Sequence, residues 1–223
     1  EDENILLVNK RPGLIVHPDE TYHFDSLIAR IQHYLYKKGE YNPQKENSFI
    51  PALANRIDRN TGGIVIAAKN AETLRILNQK IKNRELKKFY LCIAYSKFKK
   101  KDDTLTAYLE KNEKQNRVYI HNSQMENTKI IKTKYHVIAE KGNFSLLEVE
   151  LLTGRTHQIR AHLAFLGHPL LGDSKYGKNS INKEKSYKWQ ALYSYKLKFE
   201  FSSPAGILSY LNRKEFTAPN VWF

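Results

Sequence analysis

Asp58 stands between Arg56 and Arg59 in the stretch NRIDRNTGGIVIAAKN (55–70), just before a glycine turn and an apolar run. A carboxylate there can simply tie the turn or pair with a neighbouring arginine. It can also face a cleft as a reacting group, because loops at strand entrances commonly carry function. GRTHQIRAHL (154–163) supplies Arg155 and Arg160 at the start of a predicted helix. An arginine brought close to Asp58 would favour its charged form. A charged carboxylate can attack the anomeric carbon of a sugar or act as a base. Tyr90, in KKFYLCIAY (87–95), has two readings. One is core packing or a cross-strand pair. The other is a platform for a nucleobase, worth about 1–3 kcal/mol per stacked base.

Other chemistries find less support. His157, His162 and His168 invite a metal, but His157 and His162 are five residues apart, off the i,i+4 spacing of zinc-binding helices. Cys92 is the only cysteine, so neither an intramolecular disulfide nor a cysteine cluster is available. No P-loop and no GxGxxG stretch points to a nucleotide cofactor.

The elements that must position these residues follow from pattern. Ile5–Lys10 reads as a strand, an Arg-Pro-Gly turn follows, and Leu14–His17 reads as a second strand. A helix is predicted over 24–39, with Asp25 or Ser26 capping it and Gly39 ending it. Residues 41–49 read as a loop, 60–63 as a turn and Ile64–Ala68 as a buried strand. Asn70 caps a helix predicted through Leu86, with Leu74, Leu77 and Ile81 on one face. Strands follow at Lys88–Tyr95 and around 105–109 and 117–121, then a hairpin over Lys132–Leu152 turning at 141–143. A turn and helix occupy 153–169, and further strands lie in 191–201 and at 215–219. Helices and strands mix without regular β-α-β alternation, which predicts an α+β fold with a mixed, mostly antiparallel sheet.

The chain has 223 residues and a net charge of +14, from 37 Lys and Arg against 23 Asp and Glu. That balance favours a polyanion such as RNA. Residues 79–101 hold nine Lys or Arg and one acid, Glu85. A solvated lysine-rich surface is the plainer account of such a run. No apolar run approaches the length of a membrane helix, and the acidic start lacks the order of a signal peptide. A cytoplasmic protein without a membrane partner is expected.

Taken together, NRIDRNTGGIVIAAKN, KKFYLCIA and LLTGRTHQIRAHLAFLGHPLLGDSKYG resemble the RluA-type family of RNA pseudouridine synthases, and ILLVNKRPGLIVHP is similar to that family's opening segment. The resemblance implies a single catalytic domain over 1–223, in two halves flanking an active-site cleft, without the S4-type RNA-binding domain of many relatives. It implies isomerisation of uridine to pseudouridine in structured RNA, with neither metal nor cofactor, by a monomer. Ribosomal RNA, of the 23S type, is the favoured substrate and transfer RNA the alternative. By the same resemblance Asp58, Tyr90 and Arg160 are catalytic: Asp58 reacts, Tyr90 stacks on the flipped uracil, and Arg160 pairs with the aspartate. Arg56, Arg59, Arg155 and His157 serve RNA binding or base flipping. Asn55 stands where the family usually has histidine, and Gly62 where it usually has serine. Competing classes are a non-catalytic RNA-binding protein on the same fold, an RNA glycosidase that would release uracil, and a protein that meets RNA by charge alone.

Overall fold

A computed structural model describes residues 1–18, 25–45, 49–184 and 187–223. The expected loop over 41–49 and the first residue of the expected helix fall partly outside them. The chain is α+β, and it divides into two compact units. One comprises residues 1–87 and 196–221, the other 88–195 and 222–223.

The first unit contains β1 (Ile5–Lys10), α1 (Leu27–Lys37), β2 (Ala52–Leu53), β3 (Gly62–Ala68) and α2 (Ala71–Lys82). Every residue of β3 is buried, as a continuous Ile-Val-Ile-Ala-Ala run requires. β1 lies antiparallel to it, from Ile5 opposite Ala68 to Lys10 opposite Gly63. This register carries a lysine to the foot of the turn that holds Asp58. Ser26 caps α1 by accepting from the Ala29 amide, and Asn70 caps α2 by accepting from the Thr73 amide.

Two expectations fail in this unit. Leu14–His17 forms no strand. The carbonyls of Ile15 and Val16 instead accept from the Leu27 and Ile28 amides at the head of α1. The segment satisfies helix donors, so it has no ladder to join. Likewise α2 stops at Lys82, four residues early, because Arg84 takes φ 62° and Leu86 already opens β4 (Leu86–Tyr95). The buried Lys80 amine donates to Glu85 and to both the carbonyl and hydroxyl oxygens of Ser203, so one cation of the lysine-rich run lies inside the unit. Glu85 is held down at about 2, chiefly by that hydrogen bond.

The second unit is built on β5 (Asp102–Asn112), β6 (Arg117–His121), β7 (Thr128–Lys141) and β8 (Phe144–Leu151). β4 pairs β8, β8 pairs β7, β7 pairs β5 and β5 pairs β6, all antiparallel. Ala107, Leu109, Val118 and Ile131 project from three of these strands onto Ala161 of α3 (Gln158–Phe165). A short α4 (Asn179–Glu184) was not foreseen, nor was the 3-10 turn at Gly206–Leu211. In the first unit, Lys196, Leu197 and Lys198 of β9 (Leu192–Phe199) pair with β10 (Glu215–Thr217).

Candidate functional site

In the first unit, the turn that presents Asp58 is closed by the Thr61 amide donating to the Asp58 carbonyl, 3.1 Å away. Asp58 is half-buried, whereas Arg56 and Arg59 are exposed. Beneath them lies Lys10, 1% exposed. Its Nζ donates to the carbonyls of Leu14 at 2.8 Å, Arg59 at 2.9 Å and Arg11 at 3.1 Å. The Gly13 amide also donates to the Arg59 carbonyl, and Arg59 Nε returns a bond to the Gly13 carbonyl. One amine therefore clamps the Arg-Pro-Gly turn to the residue that follows Asp58. Burial pushes Lys10 down to about 7, against the opposing pull of the Asp58 charge.

His17 belongs to the same locus. Burial first, and then the positive charge of Arg56, lower its pKa and favour the neutral ring. Asn55 anchors the turn from the other side, its Oδ1 accepting from the Ile66 amide at 2.8 Å. Asn55 Nδ2 and Asn60 Oδ1 are the buried side-chain atoms without a hydrogen-bond partner among the described residues, and both belong to the Asp58 turn.

In the second unit, Arg160 sits in the first turn of α3 and is 6% exposed. Asp173, fully buried, takes the Nε–Nη2 edge of its guanidinium in a bidentate pair, at 2.7 and 3.0 Å. Burial pushes the Asp173 carboxyl up. The hydrogen bonds and charge of Arg160 and the amides of Tyr176 and Lys175 outweigh this and hold it below the ordinary carboxylate value. The turn at 173–177 needs glycine at 177, where a Cβ would lie 2.1 Å from the Asp173 carbonyl.

The entry to α3 is fixed by Gln158, which uses both ends of its amide. Its oxygen accepts from the Thr153 hydroxyl and the Arg155 amide; its nitrogen donates to the Lys132 carbonyl and the Thr133 hydroxyl. His157 caps the helix from a left-handed conformation, φ 52°, with Nδ1 3.0 Å from the Tyr176 hydroxyl. Arg155 is exposed beside it.

The three histidines that raised the metal question have separate partners. His157 meets Tyr176, His162 meets Thr133, and His168 meets Ser96 while stacking on Phe98. Burial pushes His162 down to about 4. Tyr90 is 5% exposed on β4, opposite Val149 of β8. Cys92 is fully buried nearby, and burial alone raises its thiol pKa far above the ordinary value. Among the described residues, no helix is long and apolar enough to cross a membrane.

Arg56, Asp58 and Arg59 thus share one locus in the first unit, and Arg155, His157 and Arg160 share another in the second. Sequence reasoning missed Lys10, His17, Asp173 and Tyr176. Lys10 was legible only as a lysine directly before the Arg-Pro-Gly turn at a strand end. Asp173 and Tyr176 stood in quoted motifs without any partner to reveal their roles.

Residues 4–165 match the family described as RNA pseudouridylate synthase. The ribosomal large subunit pseudouridine synthase D of Borreliella burgdorferi is 32% identical over 200 residues, covering 90% of this chain and 60% of that protein. An uncharacterised RNA pseudouridine synthase of Mycoplasma genitalium is 37% identical over 205 residues, covering 89% and 62%. This chain therefore spans about three fifths of the length of these relatives. Among solved structures, human RNA pseudouridylate synthase domain containing 1 aligns over 100% of this chain and 82% of its own, with a TM-score of 0.74 at 22% identity, a likeness of fold.

Proposed function

Because the chain belongs to the RNA pseudouridylate synthase family, we propose that it isomerises uridine to pseudouridine in structured RNA, with Asp58 as the reacting carboxylate. The observation that carries this reading is the Asp58 turn itself, a half-buried carboxylate between two exposed arginines, clamped from below by a buried lysine. A group held so closely is suited to positional catalysis, where misplacement by about 1 Å can cost about 100-fold in rate.

In this role the uridine leaves its stack, at a cost of a few kcal/mol. Phosphate contacts from Lys and Arg offset that cost. Arg56 and Arg59, exposed beside Asp58, meet the backbone or the vacated stack. Arg155 and His157 contact RNA from the second unit. Asp58 acts either on C1′ of the ribose or as a base toward a ribose proton. The N1–C1′ bond breaks, the uracil turns, and C5 bonds to C1′. The C5 proton is lost and N1 gains one, so atoms and electrons balance without an oxidant or an energy source. Tyr90 lies against the displaced uracil and Arg160 supports the charged carboxylate. The substrate is ribosomal RNA, in keeping with the name of the Borreliella relative. The protein works in the cytoplasm as a monomer, without metal or cofactor.

The test is tritium release from RNA carrying 5-³H-uridine, isolated from a source strain lacking this gene. Wild type should release tritium and form pseudouridine without free uracil, and Asp58→Asn should release none while RNA affinity stays within about 3-fold. Wild-type turnover by Asp58→Asn would remove Asp58 from the reaction. Free uracil as product would make the protein a glycosidase.

A further inference from the structure

Tyr176 is a hub that the reaction above leaves without a task. Its hydroxyl accepts from the Val118 amide of β6 at 2.9 Å and lies 3.0 Å from Nδ1 of His157. The phenol can donate its proton to Nδ1 or accept from Nδ1–H, according to the tautomer of the His157 ring. β6 ends the order β4-β8-β7-β5-β6, so this bond satisfies an amide on the open side of the strand.

The ring has a second role. The Arg160 guanidinium carbon lies 5.3 Å from its centroid, and that of Arg117, the first residue of β6, lies 4.9 Å away. The Tyr176 amide also donates to Asp173 Oδ1, the oxygen that receives Arg160 Nη2. The turn 173–176 therefore holds Arg160 in two ways, by a carboxylate along one edge and an aromatic ring beside the guanidinium.

We infer that Tyr176 is the positioning residue for Arg160, and that through its hydroxyl it links the orientation of Arg160 to the seating of edge strand β6. The inference rests on the reading that Arg160 serves the isomerisation. The ring sets the guanidinium direction, and the hydroxyl ties β6 and His157 to the same point.

The experiment is a double-mutant cycle read by tritium release from 5-³H-uridine RNA, with melting temperature measured in parallel. Tyr176→Leu should lower the saturated rate about 10-fold in the wild-type background and less than about 2-fold in an Arg160→Lys background. Tyr176→Phe keeps the ring and should hold the saturated rate within about 2-fold, while raising KM several-fold and speeding amide exchange at Val118. Equal losses for Tyr176→Leu in both backgrounds would show a general structural role and overturn the inference. So would a Tyr176→Phe loss as deep as that of Tyr176→Leu, and this comparison stands even if the leucine variant folds poorly. If Arg160→Lys alone leaves the rate unchanged, the assignment of Arg160 to the reaction fails, a result separate from the other two.

Discussion

The Lys10 Nζ atom donates to the carbonyl oxygen of Arg59 at 2.9 Å, across 49 residues of chain. Arg59 directly follows Asp58. The turn that carries the carboxylate is thus held by a side chain that is only 1% exposed.

Burial costs Lys10 heavily, since its amine is pushed down to about 7. Replacing it with an apolar side chain of similar length relieves that cost but orphans the carbonyls of Arg11 and Leu14. The two effects oppose. Lys10→Met should change unfolding stability by less than about 2 kcal/mol, yet lower turnover at least about 10-fold because the Asp58 turn loosens. Urea denaturation and tritium release together check this. The pH dependence gives a second check. Between about 7 and the usual lysine value, the unfolded chain binds a proton that the folded chain does not, so stability rises with pH across that window. Wild type should gain stability from pH 7 to 10 more steeply than Lys10→Met. Parallel curves would show that Lys10 does not titrate as its burial implies.

The elements that hold this locus were legible from pattern because they depend on local chemistry. β1, the buried run of β3 and the Ser26 and Asn70 caps follow from periodicity and turn residues alone. The strand expected at Leu14–His17 failed for a tertiary reason: its carbonyls were taken by Lys10 and by the head of α1. Lys10, Asp173 and Tyr176 stayed hidden because their roles depend on partners that the chain brings from 13 to 58 residues away. Charge counting also misplaced Lys80, which reads as surface in a lysine-rich run and is 1% exposed.

Asp173 and Arg160 form a buried bidentate pair, so removing one charge should cost more than removing both. Asp173→Asn should destabilise the protein by about 3–5 kcal/mol, because the buried Arg160 guanidinium loses the charged, bidentate partner along its Nε–Nη2 edge. Adding Arg160→Met should recover part of that loss. Thermal unfolding of the two single variants and the double variant closes the cycle. Additive losses would mean that the pair is not coupled.

His162 is 1% exposed and held at about 4 by burial, with Nδ1 3.0 Å from the Thr133 hydroxyl. Between about 4 and the usual histidine value, the unfolded chain binds a proton that the folded chain excludes. Stability should therefore fall as pH drops from 6.5 toward 4, by on the order of 3 kcal/mol for this group. His162→Gln removes the titration and should flatten that part of the curve. An unchanged acid limb in the variant would assign the acid sensitivity elsewhere.

Gln158 offers the sharpest separation of folding from RNA recognition. It is 2% exposed, and its amide binds Thr153, Arg155, Lys132 and Thr133 at once. The turn it secures carries Arg155, exposed to solvent, and His157, held at φ 52° where a residue with a Cβ is strained. Gln158→Leu keeps the volume and removes every one of these bonds. The Arg155 amide and the Lys132 carbonyl can turn to water, whereas the buried Thr133 hydroxyl loses its donor and keeps only His162. A destabilisation of about 1–3 kcal/mol is expected. RNA affinity should fall further than stability alone explains, because a freed turn lets His157 relax and no longer aims Arg155. Binding measured across salt concentrations should show the slope of log affinity against log salt become shallower by about 0.7 for one lost phosphate contact on single-stranded RNA. A variant that loses stability but keeps both affinity and slope would restrict Gln158 to packing the sheet.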